Sequence, residues 1–410
     1  MELTCPNCKT KSSIEAHINL MSFGCYNCNT LYSINEKGTL SKEKKYDYNQ
    51  EEALLSIGIK GKFDNELYEV VGLLIKRVHG SFYWREYTLM SKSGKVKYLS
   101  ESDGHWILLR EVNDFIDISK KNKILAYKDL TYNLFEKTDS FVAKAIGFYE
   151  FDMPLKAVKV EEYICPPFIL SIEKINNKEY VYHGEYITSK AIKNIFNIEQ
   201  IPIKSGVGAV EPFLFNLYNT LIIFLVFGAA TLGTYLYLNL NRTEQNVMST
   251  SIDFDDFKDK EFISPSFELV GSPGPLFISA STDVDNSWAN AQITLVNESN
   301  NQEETAQKDI EYYHGYTDGE NWKEGSTSTK FNICGVAQGK YHLIIAPMKQ
   351  ETDSSNKGIN ISATWNESSV WNFMFSLLFL GLAFIIIYIW KRNFEYNRWE
   401  SSDFSPFNQS

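Results

Sequence analysis

Two long apolar runs stand out from the pattern of hydrophobic and polar positions along the chain. Residues 212–241 and 368–390 contain no charged side chain. A helix that crosses the ~30 Å hydrocarbon layer needs about 20 mostly apolar residues, and its backbone groups must be paired within the segment. We therefore predict transmembrane helices at residues 213–238 and 370–390. The alternative, two buried core helices, is disfavoured because core helices rarely run this long without a charge.

The segment before the first apolar run reads as short strands. Runs rich in β-branched and aromatic residues alternate with turn signals, a pattern typical of antiparallel strands that have one wet face. We predict two small β-barrel or β-sandwich units at residues 56–125 and 126–202, with one helix at 189–196. The similarity between residues 83–87 (YWREY) and 182–186 (YHGEY) is short enough to arise by chance, and a repeated unit is the alternative interpretation.

Residues 241–369, between the two apolar runs, also predict strands. The strands recur about every 10–15 residues and are separated by Gly, Pro, Asn and Ser turns, which favours a β-sandwich. This segment holds 9 basic and 20 acidic residues, so it carries the whole net charge of −11. A charge confined to one segment indicates a separate domain in a separate environment.

The most distinctive part of that segment is residues 311–325, where aromatic and acidic side chains alternate at short spacing. One interpretation is a long hairpin with its turn at Asp318-Gly319 and with aromatics packed on the sandwich. Alternatively, Tyr316 and Trp322 could stack on a sugar or a cation. A third interpretation takes the carboxylates as Ca²⁺ ligands, supplied by Asp318, Glu320 and Glu324.

The basic residues at the ends of the apolar runs predict the orientation in the membrane. They are Lys190, Lys193 and Lys204 before the first run, and Lys391, Arg392 and Arg398 after the second. Between the runs, only Arg242 lies close to a membrane end. Because basic residues stay on the cytoplasmic side, we expect an inner-membrane protein with both termini inside and residues 241–369 outside. The N-terminus lacks a basic and apolar signal region, which fits a large cytoplasmic part.

Length and charge limit the class of protein further. The 410 residues are enough for two to four domains. A net charge of −11 argues against a nucleic-acid-binding protein, which normally carries a basic footprint. The expected contacts are instead the lipid bilayer, other membrane or cytoplasmic proteins, and a second copy of the chain in a homo-oligomer.

Four of the six cysteines form a metal-ligand pattern near the N-terminus. Cys5, Cys8, Cys25 and Cys28 make two C-x₂-C pairs, and four thiolates in two close pairs provide the tetrahedral sulfur set that Zn²⁺ prefers. We predict a zinc ribbon at residues 1–34 with a structural zinc, because four protein ligands leave no open position for catalysis. An iron site and a redox-active C-x-x-C pair are the alternatives. Disulfides are not expected in the reducing cytoplasm.

The other two cysteines, Cys165 and Cys334, are distant from each other and are interpreted as small buried residues. His17 lies between the two pairs and is unnecessary as a ligand once four cysteines are present. The polar residues 35–55 show no apolar periodicity, so they are interpreted as a linker. Residues 391–410 are the expected cytoplasmic tail.

The chain resembles a bacterial family of unknown function, number 4178, from about residue 57 to residue 196. The residues that carry this resemblance are Gly61, Tyr68-Glu69-Val70, Gly72, Trp84-Arg85-Glu86-Tyr87, Glu101-Ser102-Asp103-Gly104-His105-Trp106, Ile164-Cys165-Pro166-Pro167, Leu170-Ser171-Ile172-Glu173 and Gly184-Glu185-Tyr186-Ile187. One departure is Tyr182, where the family often has tryptophan.

The resemblance implies a zinc ribbon ahead, two membrane spans behind and an extracytoplasmic β domain between the spans. It also implies a bacterial membrane protein of stress-associated or polyamine-linked gene neighbourhoods, and it implies no activity.

An enzymatic role would need an acid–base set in the β body. Glu86, Glu101, Asp103 and His105 are the candidates, with Trp84 and Trp106 as pocket walls. In the structural interpretation, Asp103-Gly104 is a hairpin turn and Glu86 forms an ion pair. The sequence contains no G-x-S-x-G, phosphate-binding glycine loop or H-E-x-x-H motif.

We therefore expect a non-enzymatic membrane sensor or scaffold. In this interpretation a cytoplasmic zinc-ribbon and β module is coupled to an extracytoplasmic β-sandwich. The alternative is a membrane-anchored hydrolase with its site around Glu86, Asp103 and His105. A transporter subunit is disfavoured because neither span contains a charge. Gly228, Ala229, Ala230 and Gly233 could allow close approach of helices.

Overall fold

The computed structural model describes residues 1–48, 53–78, 82–112, 123–176, 178–240 and 242–407. Within them the fold is mainly β with three helices, two of which are long and apolar. The chain forms two compact units, and we describe each by itself. The first unit is Met1–Leu217 with Ile386–Ser410, and the second is Tyr218–Ile385.

The first unit contains fifteen described strands and the helix α1, Ser189–Phe196. The strands are β1 Glu2–Thr4, β2 Lys11–Ser13, β3 Ser22–Gly24, β4 Thr30–Ile34, β5 Leu40–Lys45, β6 Lys60–Phe63, β7 Glu66–Arg77, β8 Tyr83–Ser91, β9 Val96–Ser102, β10 His105–Glu111, β11 Ile124–Tyr127, β12 Leu130–Tyr149, β13 Val158–Cys165, β14 Phe168–Ile175 and β15 Lys178–Ile187.

Eight of these strands pair antiparallel in a sheet that closes on itself, because β12 also pairs with β7. We call this closed sheet the ring. Strands β7 to β10 form one four-stranded meander, and β12 to β15 form a second. The meanders join twice, where β10 pairs with β15 and β7 pairs with β12. At Gly147, whose φ of 101° suits glycine, β12 pairs with Gly72 of β7 and with Gly24 of β3.

The ring corrects the prediction of two separate β units. The predicted units at 56–125 and 126–202 correspond to the two meanders, but their strands share one sheet. Alternation along a strand shows which residues share a face. It does not show which distant strand pairs with its edge. The predicted boundary near residue 125 falls in β11, and residues 113–122 beside it lie outside the described part of the chain.

The two faces of the ring differ in chemistry. Tyr87, Leu99 and Trp106 on the outer face are buried beneath Ile192 and Phe196 of α1. The register places charged and tyrosine side chains on the opposite face, where Lys76 Nζ lies 2.7 Å from Glu173 Oε1. Because β7 and β14 are not neighbours, this contact crosses the interior of the ring.

The helix α1 confirms the predicted helix at 189–196. Thr188 caps its N-terminus, where its side chain accepts from the Ala191 N–H. Asn197 ends the helix in the left-handed region, with a φ of 52°.

The predicted linker at 35–55 is partly wrong. Residues Leu40–Lys45 form β5, which pairs with β4, and residues 49–52 lie outside the described part of the chain. Five of its six residues are polar and exposed, so apolar periodicity does not reveal the strand, which forms through backbone pairing with its neighbour. The N-terminal strands also share a core with the ring, because Phe23 packs with Val71, Met90 and Phe148.

The two long helices are α2, Leu217–Leu240, and α3, Trp371–Trp399. Both are long and apolar enough to cross a membrane, and their most apolar stretches have no buried residue. Within the second unit they contact each other through Phe224 with Phe384 and Tyr235 with Phe373. A Cβ on Gly228 would lie 3.7 Å from α3, whereas a Cβ on Gly233 would meet nothing within 4 Å.

The remainder of the second unit forms two antiparallel sheets around one hydrophobic cluster. The first sheet has the order β16-β25-β19-β23, and the second β17-β24-β20-β21-β22, with β18 also on β24. The strands are β16 Gln245–Asp253, β17 Phe262–Ile263, β18 Phe267–Leu269, β19 Gly274–Thr282, β20 Ser287–Asn297, β21 Glu303–Thr317, β22 Glu320–Gly325, β23 Ser328–Val336, β24 Gly339–Lys349 and β25 Gly358–Trp365. The predicted hairpin turn at Asp318-Gly319 is confirmed between β21 and β22. Residue 241 lies outside the described part of the chain.

Candidate metal centre

The four N-terminal cysteines lie on two turns with the same backbone geometry. One turn joins β1 to β2, and the other joins β3 to β4. In each, the first cysteine donates its N–H to a threonine carbonyl five residues later, at 2.9 Å for Cys5 and 3.0 Å for Cys25. The residue after the second cysteine has a positive φ, 61° at Lys9 and 52° at Asn29, and its N–H bonds back to the first cysteine. This tight turn points both sulfurs of a pair the same way.

The distances between the sulfur atoms fit a tetrahedral metal site. All four Sγ atoms lie within 4.8 Å of one another, with 3.7 Å between Cys5 and Cys28 and 3.5 Å between Cys8 and Cys25. Metal–sulfur bonds of about 2.3 Å in a tetrahedron place the sulfurs about 3.8 Å apart. The four cysteines could therefore bind a metal ion, and His17 does not belong to the group.

Two threonines support the cysteines that are less buried. Thr10 Oγ1 lies 3.3 Å from Cys8 Sγ, and Thr30 Oγ1 lies 3.3 Å from Cys28 Sγ. The hydrogen bond with Thr10 lowers the pKa of Cys8 to about 5, whereas burial raises the pKa of Cys25 to about 12. Neither threonine is among the residues predicted from the sequence. The signal was a repeated Cys-x-Asn-Cys-x-Thr pattern with a spacing of 20 residues.

The cysteine turns are fastened to the ring by a buried carboxylate. Glu69 of β7 is 6% exposed and accepts from the backbone N–H of Glu15 at 3.0 Å and of Ala16 at 2.8 Å. Both donors lie on the connection between the two cysteine turns. Glu69 belongs to the Tyr68-Glu69-Val70 segment noted in the sequence, and the structure adds this contact to it.

The predicted acid–base residues do not form one site. Glu86 Oε2 lies 2.7 Å from Lys76 Nζ, and its other oxygen accepts from Trp84 Nε1 at 2.7 Å. Glu101 is 1% exposed and binds Arg85 at 2.6 Å and the Gly104 N–H at 2.9 Å. These carboxylates are held in structural contacts with different partners.

The remaining two acid–base candidates also have structural positions. Asp103 and Gly104 form the turn between β9 and β10, with φ values of 50° and 79°. His105 is buried, and its Nδ1 lies 3.4 Å from Glu211 Oε2 while its Nε2 lies 3.1 Å from the Ser205 carbonyl. His105 therefore faces the segment that leads into α2.

The end of α3 also holds this segment, residues 208–211. Arg398 is 1% exposed, and its guanidinium donates to the carbonyls of Gly208 and Ala209 at 2.8 Å and of Glu211 at 2.5 Å. Trp399 is buried beside Phe135 of β12, with 5.2 Å between ring centroids. We call the contacts of Arg398 with residues 208–211 and of Trp399 with Phe135 the helix junction. From the sequence alone, Arg398 is only a positive charge at a membrane end.

The other candidate residues remain apart from the cysteine group. Cys165 is half-buried in β13, and Cys334 is exposed in β23, which corrects the prediction that it is buried. Tyr316 and Trp322 are 70% and 45% exposed on the hairpin. Within the described ranges, the cysteines form the only group of at least three side chains arranged as metal ligands. The carboxylates considered for Ca²⁺ therefore do not converge.

Residues 56–189 match the model of a protein family described as "Domain of unknown function (DUF4178)". This match confirms the resemblance to family 4178, and it covers all eight strands of the ring. A comparison with curated proteins finds no match.

Solved structures give only weak similarities. The structure of PNGF-II is 8% identical, covers 76% of this chain and 67% of its own, and has a TM-score of 0.21. The Cry4Aa toxin from Bacillus thuringiensis is 10% identical, with 73% and 52% covered and a TM-score of 0.17. The structure of infectious bursal disease virus strain Gx is 9% identical, with 82% and 62% covered and a TM-score of 0.15.

Proposed function

We propose that the protein is a non-enzymatic sensor or scaffold of the bacterial inner membrane. It couples a cytoplasmic zinc-ribbon and ring module to an extracytoplasmic β-sandwich, within a membrane-associated stress system. The observation that carries this proposal is the helix junction. Arg398 and Trp399 at the end of α3 pack against the segment before α2 and against the ring. Both helices are thereby tied to the same module.

The metal in this proposal is a structural zinc. Four thiolates at tetrahedral spacing are the usual ligand set of structural zinc, and they leave no position open for water or substrate. Zinc also suits a short segment of small strands, because metal binding supplies folding energy that a small core lacks.

The orientation rests on charge. Lys391 and Arg392 continue α3 beyond its apolar part, and Lys204 precedes α2. Residues 241–369 between the helices carry the net charge of −11. Retention of basic residues on the cytoplasmic side supports a topology with the cysteines inside and the two-sheet segment outside.

We assign no catalytic role to Glu86, Asp103 or His105. Glu86 is paired with Lys76, Asp103 forms a turn, and His105 contacts the segment before α2. These contacts serve the fold and the helix junction, which favours coupling over hydrolysis as the role of this region.

Capture of partners from cells tests the interaction role. The C-terminally tagged protein is cross-linked in cells, purified from membranes, and compared with Cys25→Ser and with Cys334→Ser. We expect the wild type and Cys334→Ser to retain the same partners and Cys25→Ser to lose a subset. The reason is that Cys25 belongs to the four-cysteine group and Cys334 does not. An identical set of partners for all three proteins would contradict an interaction role for the cysteine module.

A further inference from the structure

Every strand of the ring places at least one titratable side chain on the inner face, and β15 places Tyr180 and Tyr186 there besides Tyr182. Eight of these side chains, one from each strand, are in chain order Lys76, Glu86, Tyr98, Glu111, Glu136, Glu162, Glu173 and Tyr182. Five are glutamates, and Lys76 is the one cation among the eight. Lys76 Nζ lies 2.7 Å from both Glu86 and Glu173, so these two carboxylates share its charge.

Glu136 and Glu162 form a like-charged pair beside this group. The register of β12 and β13 places them directly opposite each other. Like charges in directly opposed positions repel when both are ionised. Neither carboxylate lies within ion-pair distance of Lys76, so this repulsion is not neutralised as it is at Glu86 and Glu173.

A bulge in β12, next to Glu136, connects this pair to the end of α3. The register shifts between Leu134 and Glu136, which leaves Phe135 as the extra residue. The Phe135 ring packs on Trp399, and its carbonyl accepts from Ser402 Oγ at 2.5 Å. Asp403 follows Ser402 and adds a third negative charge near Glu136.

We infer that Glu136 and Glu162 form a proton-sensitive pair that controls how firmly the segment after α3 docks on the ring. This inference rests on the proposed sensor function and names one signal that the ring would transmit to the membrane helices. The pair favours docking when it carries a proton. It opposes docking when both carboxylates are ionised and Glu136 repels Asp403.

The direction of the pH dependence follows from the surroundings of the pair. Burial and the carboxylates of Glu86, Glu136 and Glu173 raise the pKa of Glu162 to about 7. Burial and Asp403 raise the pKa of Glu136. Docking brings Asp403 near Glu136 and raises the pKa of that carboxyl, so the proton carried by the pair is bound more tightly in the docked state than in the undocked state. Docking is therefore favoured at low pH, and its advantage declines as pH rises toward about 7.

Hydrogen exchange of residues 399–407 in the purified full-length protein measures this docking. After correction for intrinsic exchange rates, wild-type protection should fall by up to about fivefold between pH 6 and pH 7, the limit for one linked proton with a docked pKa of about 7. Glu162→Gln should reduce this change to less than about twofold. Glu136→Gln is the second variant, with the same expectation. Glu161→Gln is the matched control, because Glu161 pairs with Lys137 at 3.0 Å on the opposite face of β13.

Two results would overturn the inference: a wild-type protein without pH-dependent protection, or a Glu162→Gln protein that keeps the wild-type dependence. The measurement uses no partner and no intact membrane. Its failure would therefore leave the partner experiment unaffected, and loss of partners would leave this measurement unaffected.

Discussion

Replacing Cys25 with serine should abolish metal binding and unfold the N-terminal cysteine module. Cys25 is fully buried, and its sulfur lies 3.5 Å from that of Cys8. Structural zinc in small domains contributes on the order of 10 kcal/mol of apparent binding free energy, and most of this is folding free energy. We expect the zinc content of the purified protein to fall below about a tenth of one equivalent. Metal analysis by mass spectrometry measures the content, and hydrogen exchange of residues 1–45 measures the unfolding.

The matched control is Cys334→Ser, which removes an exposed thiol outside the four-cysteine group. It should retain one equivalent of zinc and wild-type exchange in residues 1–45. A wild-type protein that purifies with iron, or a Cys25→Ser protein with full zinc content, would contradict the assignment. Chelation of the wild type should reproduce the exchange pattern of Cys25→Ser, because both remove the same metal.

Replacing Arg398 with alanine should release the end of α3 from the ring. The guanidinium donates to three carbonyls and to Glu395, and it is almost completely buried. Hydrogen bonds to charged groups contribute about 1.5–3 kcal/mol each, and removing one partner of a buried charged network costs about 3–5 kcal/mol. We expect protection from hydrogen exchange at residues 208–211 and 399–407 to fall at least about 100-fold, since each 1.4 kcal/mol is about tenfold.

Arg392→Ala is the control for this change. Arg392 lies six residues earlier in α3 and is exposed, so its removal should leave the junction protected. Arg398→Lys should be intermediate, because one ammonium cannot reproduce the planar set of donors. Equal protection in Arg398→Ala and Arg392→Ala would show that the guanidinium does not hold the junction.

Local features of the fold could be predicted from the sequence because they depend on neighbouring residues. The helix at 189–196 has a threonine before it and an asparagine after it, and both act as caps. The Asp103-Gly104 and Asp318-Gly319 turns need only residues that tolerate a positive φ. The two apolar runs were identified by length and absence of charge, although α3 continues to Trp399, beyond the predicted end at 390.

The features that were missed depend on distant contacts. The two meanders pair where Trp106 of β10 lies opposite Ile187 of β15 and where Gly72 of β7 lies opposite Gly147 of β12. No local pattern in the sequence specifies these partners. The strand β5 is polar after Leu40 and forms through its pairing with β4. A single sequence shows which residues alternate along a strand, but it does not show which other strand pairs with that strand.

The candidate site divides in the same way. The four cysteines were found from spacing alone, because two close pairs of thiols have few other uses. Thr10 and Thr30 could have been found from the repeated pattern around the cysteines. The role of Arg398 could not, because a basic residue near a membrane end has the same sequence context whether it is exposed or buried against carbonyls.

The most direct test of the account uses the exposed thiol of Cys334. Intact cells are treated with a maleimide that reaches the periplasm but does not cross the inner membrane, and the labelled positions are mapped by mass spectrometry. We expect label at Cys334 and none at Cys5, Cys8, Cys25 or Cys28 until the membrane is permeabilised and the metal is removed. Label on the four N-terminal cysteines of intact cells, with Cys334 unlabelled, would contradict the proposed arrangement across the membrane.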